Sequence, residues 1–318
     1  MASPLNHLLL TTSVFLPLFA SADSIEKLPN GGLKAVTENY EVELINPNST
    51  DFKITGGRFI RGGWLRQLKP TRIKQSLIVG KSVFSYHTAY GLTFEFVPDI
   101  KLRNIDERFS EHLKIGVGRI KRDNAKGFPY DRPVAAVPWQ YRINSENEIE
   151  YIQDSGKPIM GYAWQLTNRI QFFKESIRFV QTLKNTGSKK LELETFVHPF
   201  FNATQGKARC KFIMPRLRSG KVDLTALTAG NFKPGLLVAG KELPPGVNWV
   251  AGLNITDNNF YCLISTDDKL YKTMFWRNVE GSFAVEPFIK ISLPPGKRRN
   301  WTWKINFGSG TIPEKLIK

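Results

Sequence analysis

Apolar and polar residues alternate along most of this chain. "YEVELINP" alternates from Tyr40, "LTFEFVPDI" runs to a strand-ending Pro98, and "KKLELETFVHPFF" alternates before closing on Pro-Phe-Phe. A period of two puts every second side chain on one face, so these stretches predict β-strands. "WQYRINSENEIEYIQD" predicts a hairpin turning at Asn144 to Asn147. "YAWQLTNRIQFFKESIRFVQTLKNTG" predicts two or three strands, and "SLIVGKSVF", "NWVAGLNITDNNFYCLIST", "KTMFWRN", "SFAVEPFIKISLPPG" and "RNWTWKINFG" predict more. "FKITGGRFIRGGWLRQL" reads as a strand whose glycines mark bends or close backbone approach. Only Glu107 to Lys114 suggests a turn of helix. No repeat and no Pro/Gly/Ser-rich linker divides the chain, so the pattern predicts an all-β protein: one large antiparallel sandwich over residues 23–318.

Composition adds compartment and charge. Residues 1–22, "MASPLNHLLLTTSVFLPLFASA", combine an apolar run with a small-x-small end at Ala20 to Ala22, the form of a secretory signal peptide too short to span a bilayer. Export to a periplasm or to the outside is therefore expected, and no transmembrane segment is predicted elsewhere. The net charge of +17 suits an anionic partner such as an acidic glycan. Its basic residues are scattered and form no nucleic-acid motif, so no nucleic-acid partner is expected. An oxidising compartment permits a disulfide between Cys210 and Cys262, but sequence alone does not pair them.

Phosphate loops, nucleophile elbows and Cys-x-x-Cys pairs are all missing, and nothing calls for a cofactor or a metal. Two stretches carry candidate chemistry. In "TFVHPFFN", His198 shares a strand face with Phe196 and Phe200, and Pro199 suits a strand end. In "SFAVEPFIKISLPPG", Glu286 sits in an apolar strand before a proline, where desolvation raises a carboxyl pKa. On composition alone each reads as a packed or salt-bridged structural residue ahead of half of an acid and base pair.

These two stretches resemble the galactose mutarotase-like family, which includes aldose 1-epimerases. "VQTLKNTGSKKLELETFVHPFFN" resembles its strand, N-x-G turn and "HPYFN" run. "VEPFIKISLPPGKRRNWTWKINF" resembles its closing pair of strands. The resemblance implies a large antiparallel β-supersandwich with a sugar groove across one face. It implies His198 as general acid to the ring oxygen and Glu286 as general base for the anomeric hydroxyl. Aromatic candidates against a sugar are Trp64, Trp164, Phe200 and Trp276. The family's early "G-R-x-x-N-R-I" and its second-His segment are not present as written. Arg58 or Arg61 is the candidate for the positive charge, and His87 in "SYHTAYG" for the second His. Three functions follow: an exported aldose 1-epimerase-like isomerase, a non-catalytic carbohydrate-binding protein on the same fold, or a polyanion-binding sandwich. The expected ligand is a sugar or glycan, with an acidic one matching the charge.

Overall fold

The structure, a computed structural model, describes residues 24–73, 75–80, 90–98, 111–121, 132–202, 210–218, 221–228, 238–243, 246–254, 260–277 and 282–317. The signal-like residues 1–22 and His87 lie outside the described residues. The chain opens with β1 (Ser24–Lys27), β2 (Leu33–Val36), β3 (Tyr40–Leu44), the helical turn α1 (Phe52–Thr55), β4 (Leu65–Pro70) and β5 (Leu92–Pro98). A small unit of β6 (Glu111–Lys114), β7 (Gly118–Lys121) and β8 (Arg132–Ala136) follows. Next come β9 (Trp139–Ser145), β10 (Glu148–Asp154), β11 (Trp164–Phe173), β12 (Ser176–Asn185), β13 (Leu191–Pro199) and β14 (Phe201–Asn202). The last strands are β15 (Cys210–Arg218), β16 (Lys221–Thr228), β17 (Val238–Glu242), β18 (Trp249–Asn254), β19 (Phe260–Thr266), β20 (Lys272–Arg277), β21 (Ser282–Leu293) and β22 (Arg298–Ser309).

They form two large antiparallel sheets. The first runs β1-β2-β3-β4-β5-β13-β21-β20-β17 with β14 paired to β21, and the second runs β16-β15-β18-β19-β22-β12-β11-β10-β9. The alternating sequence explains why the sheets stack. β11 buries every second residue, and its partner β12 sets Phe179 opposite Ile170 and Leu183 opposite Leu166. This inner face meets Phe94 and Phe96 of β5. Phe94 packs edge-on against Phe179 at 4.9 Å, and Phe96 against Trp301 at 6.2 Å. Buried indoles need partners for their N–H, and Trp301 donates from Nε1 to Gln181 Oε1 at 2.9 Å. The large antiparallel sandwich expected from the pattern is the fold observed.

Three local expectations change. "FKITGGRFIRGGWLRQL" is not one strand: α1 and an irregular segment precede β4. Its glycines do mark close approach, since a Cβ at Gly62 would stand 2.4 Å from the Trp139 ring. Glu111–Lys114 is strand rather than helix, paired with β7. "SLIVGKSVF" contributes an isolated bridge, Ile78 to Phe201, among its described residues. Cys210 and Cys262 do not pair, because β18 lies between their strands. Strands two apart stand about 9.5 Å from one another, beyond the roughly 7 Å that a disulfide spans. Cys262 is a buried free thiol whose pKa burial raises.

Truncating the ring that joins the sheets tests the packing. Phe94→Ala should lose about 3–5 kcal/mol. The same change at Ile143, 41% exposed, should stay within about 0.5 kcal/mol. Urea denaturation of both variants checks this.

Candidate active site

Strand β13 alternates between buried and half-exposed residues up to Thr195, then buries every residue from Phe196 to Pro199. β21 likewise buries every residue from Ser282 to Ile289. Both faces of the first sheet are therefore covered at its middle. The inner residues, among them Val197, Val285 and Ile289, belong to the main core. The outer side chains are Glu95, Phe196, His198, Glu286 and Phe288. A second cluster covers them, with Ile45, Phe59 and Trp64 from the segment after β3, Tyr90 from just before β5 and Phe200 from between β13 and β14.

Register brings the two candidate residues together. The β13–β21 ladder pairs Phe196 with Phe288, and β14 resumes it at Phe201 with Phe283. Pro199 and Pro287 fall in the gap, and neither has an N–H to give a ladder. Carried through the gap, the register sets His198 across from Glu286. His198 Nε2 lies 3.1 Å from Glu286 Oε1, and both side chains are 4% exposed. The imidazole stacks on Phe200 at 4.1 Å and meets Phe59 edge-on at 5.1 Å. Thr273 Oγ1 donates to the Glu286 carbonyl at 3.1 Å, bracing β21 beside Pro287.

A charged trio stands next to the pair. Glu95 accepts from Arg58 Nε at 2.7 Å and from Lys114 Nζ at 2.8 Å. Glu95 is two residues along β5 from Thr93, the partner of His198, so it lies on the same face. Burial opposes ionisation of Glu95, but the two cations outweigh it and hold its pKa below the usual carboxylate range. The Arg58 guanidinium rests 4.6 Å from the Phe59 ring centre and is 24% exposed.

The pair itself lacks that compensation. Burial pushes Glu286 up to about 8, with the Glu95 charge adding and Arg58 and Lys272 opposing. Burial and the Arg58 charge hold His198 well below the ordinary imidazole value. Near neutrality the contact thus holds one proton, resting on the carboxyl, with no net charge. The arrangement can give a proton from one partner and take one at the other.

The remaining candidates divide. Phe200 and Trp276 border His198, the Trp276 ring lying 6.3 Å from the imidazole and 5.9 Å from Phe200. Arg58 stands beside the pair. Arg61 does not: its buried guanidinium donates to the Gly56 carbonyl at 2.9 Å and holds the covering segment. Trp164 is a correction. It belongs to the core between the sheets and donates to Gln153 Oε1 at 3.2 Å, far from the outer face. Trp64 is buried in the covering cluster, stacked on Tyr90. Sequence reasoning missed Glu95, Lys114 and Phe59. The signal for Glu95 was a carboxylate between two phenylalanines in "TFEF". Among the described residues, no group of three His, Cys, Asp or Glu could hold a metal ion.

The raised Glu286 pKa has a stability consequence. Its native pKa exceeds its unfolded one, so the folded state binds more protons between them and loses stability as pH rises. The comparison with Glu286→Gln cancels the unfolded-state titration of His198, centred at about 6.5, and leaves Glu286 to act up to about 8. Wild type should lose about 2 kcal/mol between those limits, relative to Glu286→Gln, in urea titrations at stepped pH.

No family model and no curated protein matches the chain. Solved structures do. A galactose mutarotase related enzyme from Lactobacillus acidophilus superposes with a TM-score of 0.57 at 12% identity, covering 88% of this chain and 98% of its own. A galactose mutarotase-like protein from Lactobacillus casei gives 0.57 at 12% identity, over 87% of this chain and 100% of its own. A protein from Synechocystis sp. PCC 6803 gives 0.55 at 15% identity, over 85% and 92%. At such identities the likeness concerns architecture, and this chain has the galactose mutarotase-like sandwich fold.

Proposed function

We propose that the protein is an exported, metal-independent sugar isomerase of the aldose 1-epimerase type, with His198 and Glu286 as its acid and base. The direct contact of His198 Nε2 with Glu286 Oε1 at 3.1 Å carries this reading. Opening a pyranose ring needs one proton delivered to the ring oxygen and one removed from the anomeric hydroxyl, as the bond from the anomeric carbon to the ring oxygen breaks and that carbon becomes a carbonyl. A contact holding one proton supplies both transfers. With the proton on His198, the imidazolium protonates the ring oxygen and the Glu286 carboxylate takes the hydroxyl proton. Rotation about the first carbon-carbon bond, then the reverse transfers, closes the ring as the other anomer and restores the pair. At rest burial keeps the proton on Glu286, and a polar sugar beside the pair would lower the cost of moving it. Half-buried Trp276 offers an apolar face to the sugar ring, Phe200 backs the imidazole from beneath, and Arg58 offers its charge to a hydroxyl or an acidic group. Residues 1–22 support export, for which N-terminal sequencing of the protein from its host should begin near Asp23 and not at Met1.

A second reading has its own observation. Both partners are 4% exposed and bonded to each other, which favours a carbohydrate-binding sandwich that does no chemistry. Anomer exchange followed by NMR over a panel of neutral and acidic sugars separates the two. The isomerase reading predicts acceleration that His198→Asn and Glu286→Gln each reduce by about 10²- to 10⁴-fold. It also predicts kcat/KM level from pH 6.5 and falling above about 8, where Glu286 gives up the shared proton. A sugar that binds without faster exchange would leave the binding reading.

A further inference from the structure

The far side of the molecule carries a groove of about 600 Å³ on the outer face of the second sheet. Strands β12 and β22 form its floor. Their register sets Ser176 opposite Asn306 and Arg178 opposite Lys304. Directly opposed like charges on one sheet face are destabilising, yet two cations face each other here. The C-terminal turn Glu314–Leu316 forms one wall and brings in a third, Lys315. Its position is fixed, since Ile312, Leu316 and Ile317 pack on the Trp249 and Leu263 cluster. Among the described residues, no ion pair is formed by Arg178, Lys304 or Lys315; Lys174 at the rim leans 3.5 Å from Glu38. Partial burial and the charges of Arg178 and Lys315 lower the proton affinity of Lys304. The groove's carboxylate is Glu175.

We propose that this groove is an oxyanion site, in which Arg178, Lys304 and Lys315 hold a sulfate or phosphate group over Ser176 and Asn306. Three cations against one carboxylate leave the groove positive, and a tetrahedral group brings at least three free oxygens to the three cations, whereas a uronate carboxylate brings two. The guanidinium supplies paired N–H donors suited to such oxygens. The Ser176 hydroxyl and the Asn306 amide, the next pair along the same face, supply short neutral donors beside the charges. The Tyr261 ring, on β19 beside β22, also lines the groove and gives an apolar surface to whatever bears the anion. Because the groove lies on the opposite sheet from His198, the inference does not rest on the isomerase reading.

Calorimetric titration of the full chain at low ionic strength tests it, with inorganic sulfate, inorganic phosphate, galactose 6-sulfate and galacturonate as probes. Sulfate or phosphate should bind, and the double variant Arg178→Gln, Lys304→Gln should weaken it at least tenfold. Tighter binding of galactose 6-sulfate would identify a saccharide-borne group, and binding of the free ions alone a free-anion site; either supports the proposal. Without any probe, Lys304→Gln alone should raise the melting temperature by relieving the opposed pair, and sulfate should then stabilise it less than wild type. The inference is overturned if the tetrahedral anions bind no better than chloride or galacturonate, or if the double variant binds them as wild type does. A melting temperature lowered by Lys304→Gln would remove its electrostatic basis.

Discussion

Keeping an imidazole and a carboxyl together at 3.1 Å, almost wholly out of water, is the constraint around which this molecule is arranged. Burying an ion pair costs several kcal/mol per charge unless hydrogen bonds repay it. The His198–Glu286 contact escapes most of that cost by remaining neutral, with its one proton on the carboxyl. The covering segment after β3 makes the neutrality possible. Phe59 and Phe200 pack around the imidazole and remove the solvent that would stabilise charge. Arg61, bonded to the backbone of that same segment, keeps the cover in place and away from the chemistry.

Beside this neutral pair sits a group with the opposite solution. Glu95 is equally buried but stays ionised, because Arg58 and Lys114 each donate to it. The two carboxylates share one sheet face and differ by their partners alone. Arg58 joins the two sites, bonded to Glu95 and acting through its charge on both His198 and Glu286. Such a division, one carboxyl ionised and its neighbour holding a proton, is how a single face can carry both a fixed charge and a mobile proton.

The sandwich was legible because alternation survives wherever one sheet face is wet, as in β11 and β12. The central site was legible where alternation fails: "TFVHPFF" and "FAVEPF" bury both faces, and each carries one ionisable group ahead of a proline. What sequence could not supply was long-range register. Glu95 joins His198 only once β5 is known to pair with β13. Trp164 reads like any strand tryptophan, and only the packing of two sheets sends it inward. Arg58 and Arg61 stand three residues apart in an irregular segment, where no period predicts which one faces the pair. The basic groove was equally hidden, since Arg178 and Lys304 are opposed across strands more than a hundred residues apart in the chain.

The proton's place in the contact is the centre of this account, and nitrogen-15 NMR of the His198 imidazole across pH reads it most directly. The account predicts a neutral ring at pH 7 that stays neutral well below the usual imidazole titration. A second inflection near 8 should appear as Glu286 ionises and vanish in Glu286→Gln. An imidazolium signal at pH 7, or a normal titration near 6.5, would contradict it, and would mean that water or the Arg58–Glu95–Lys114 charges govern the pair instead of burial.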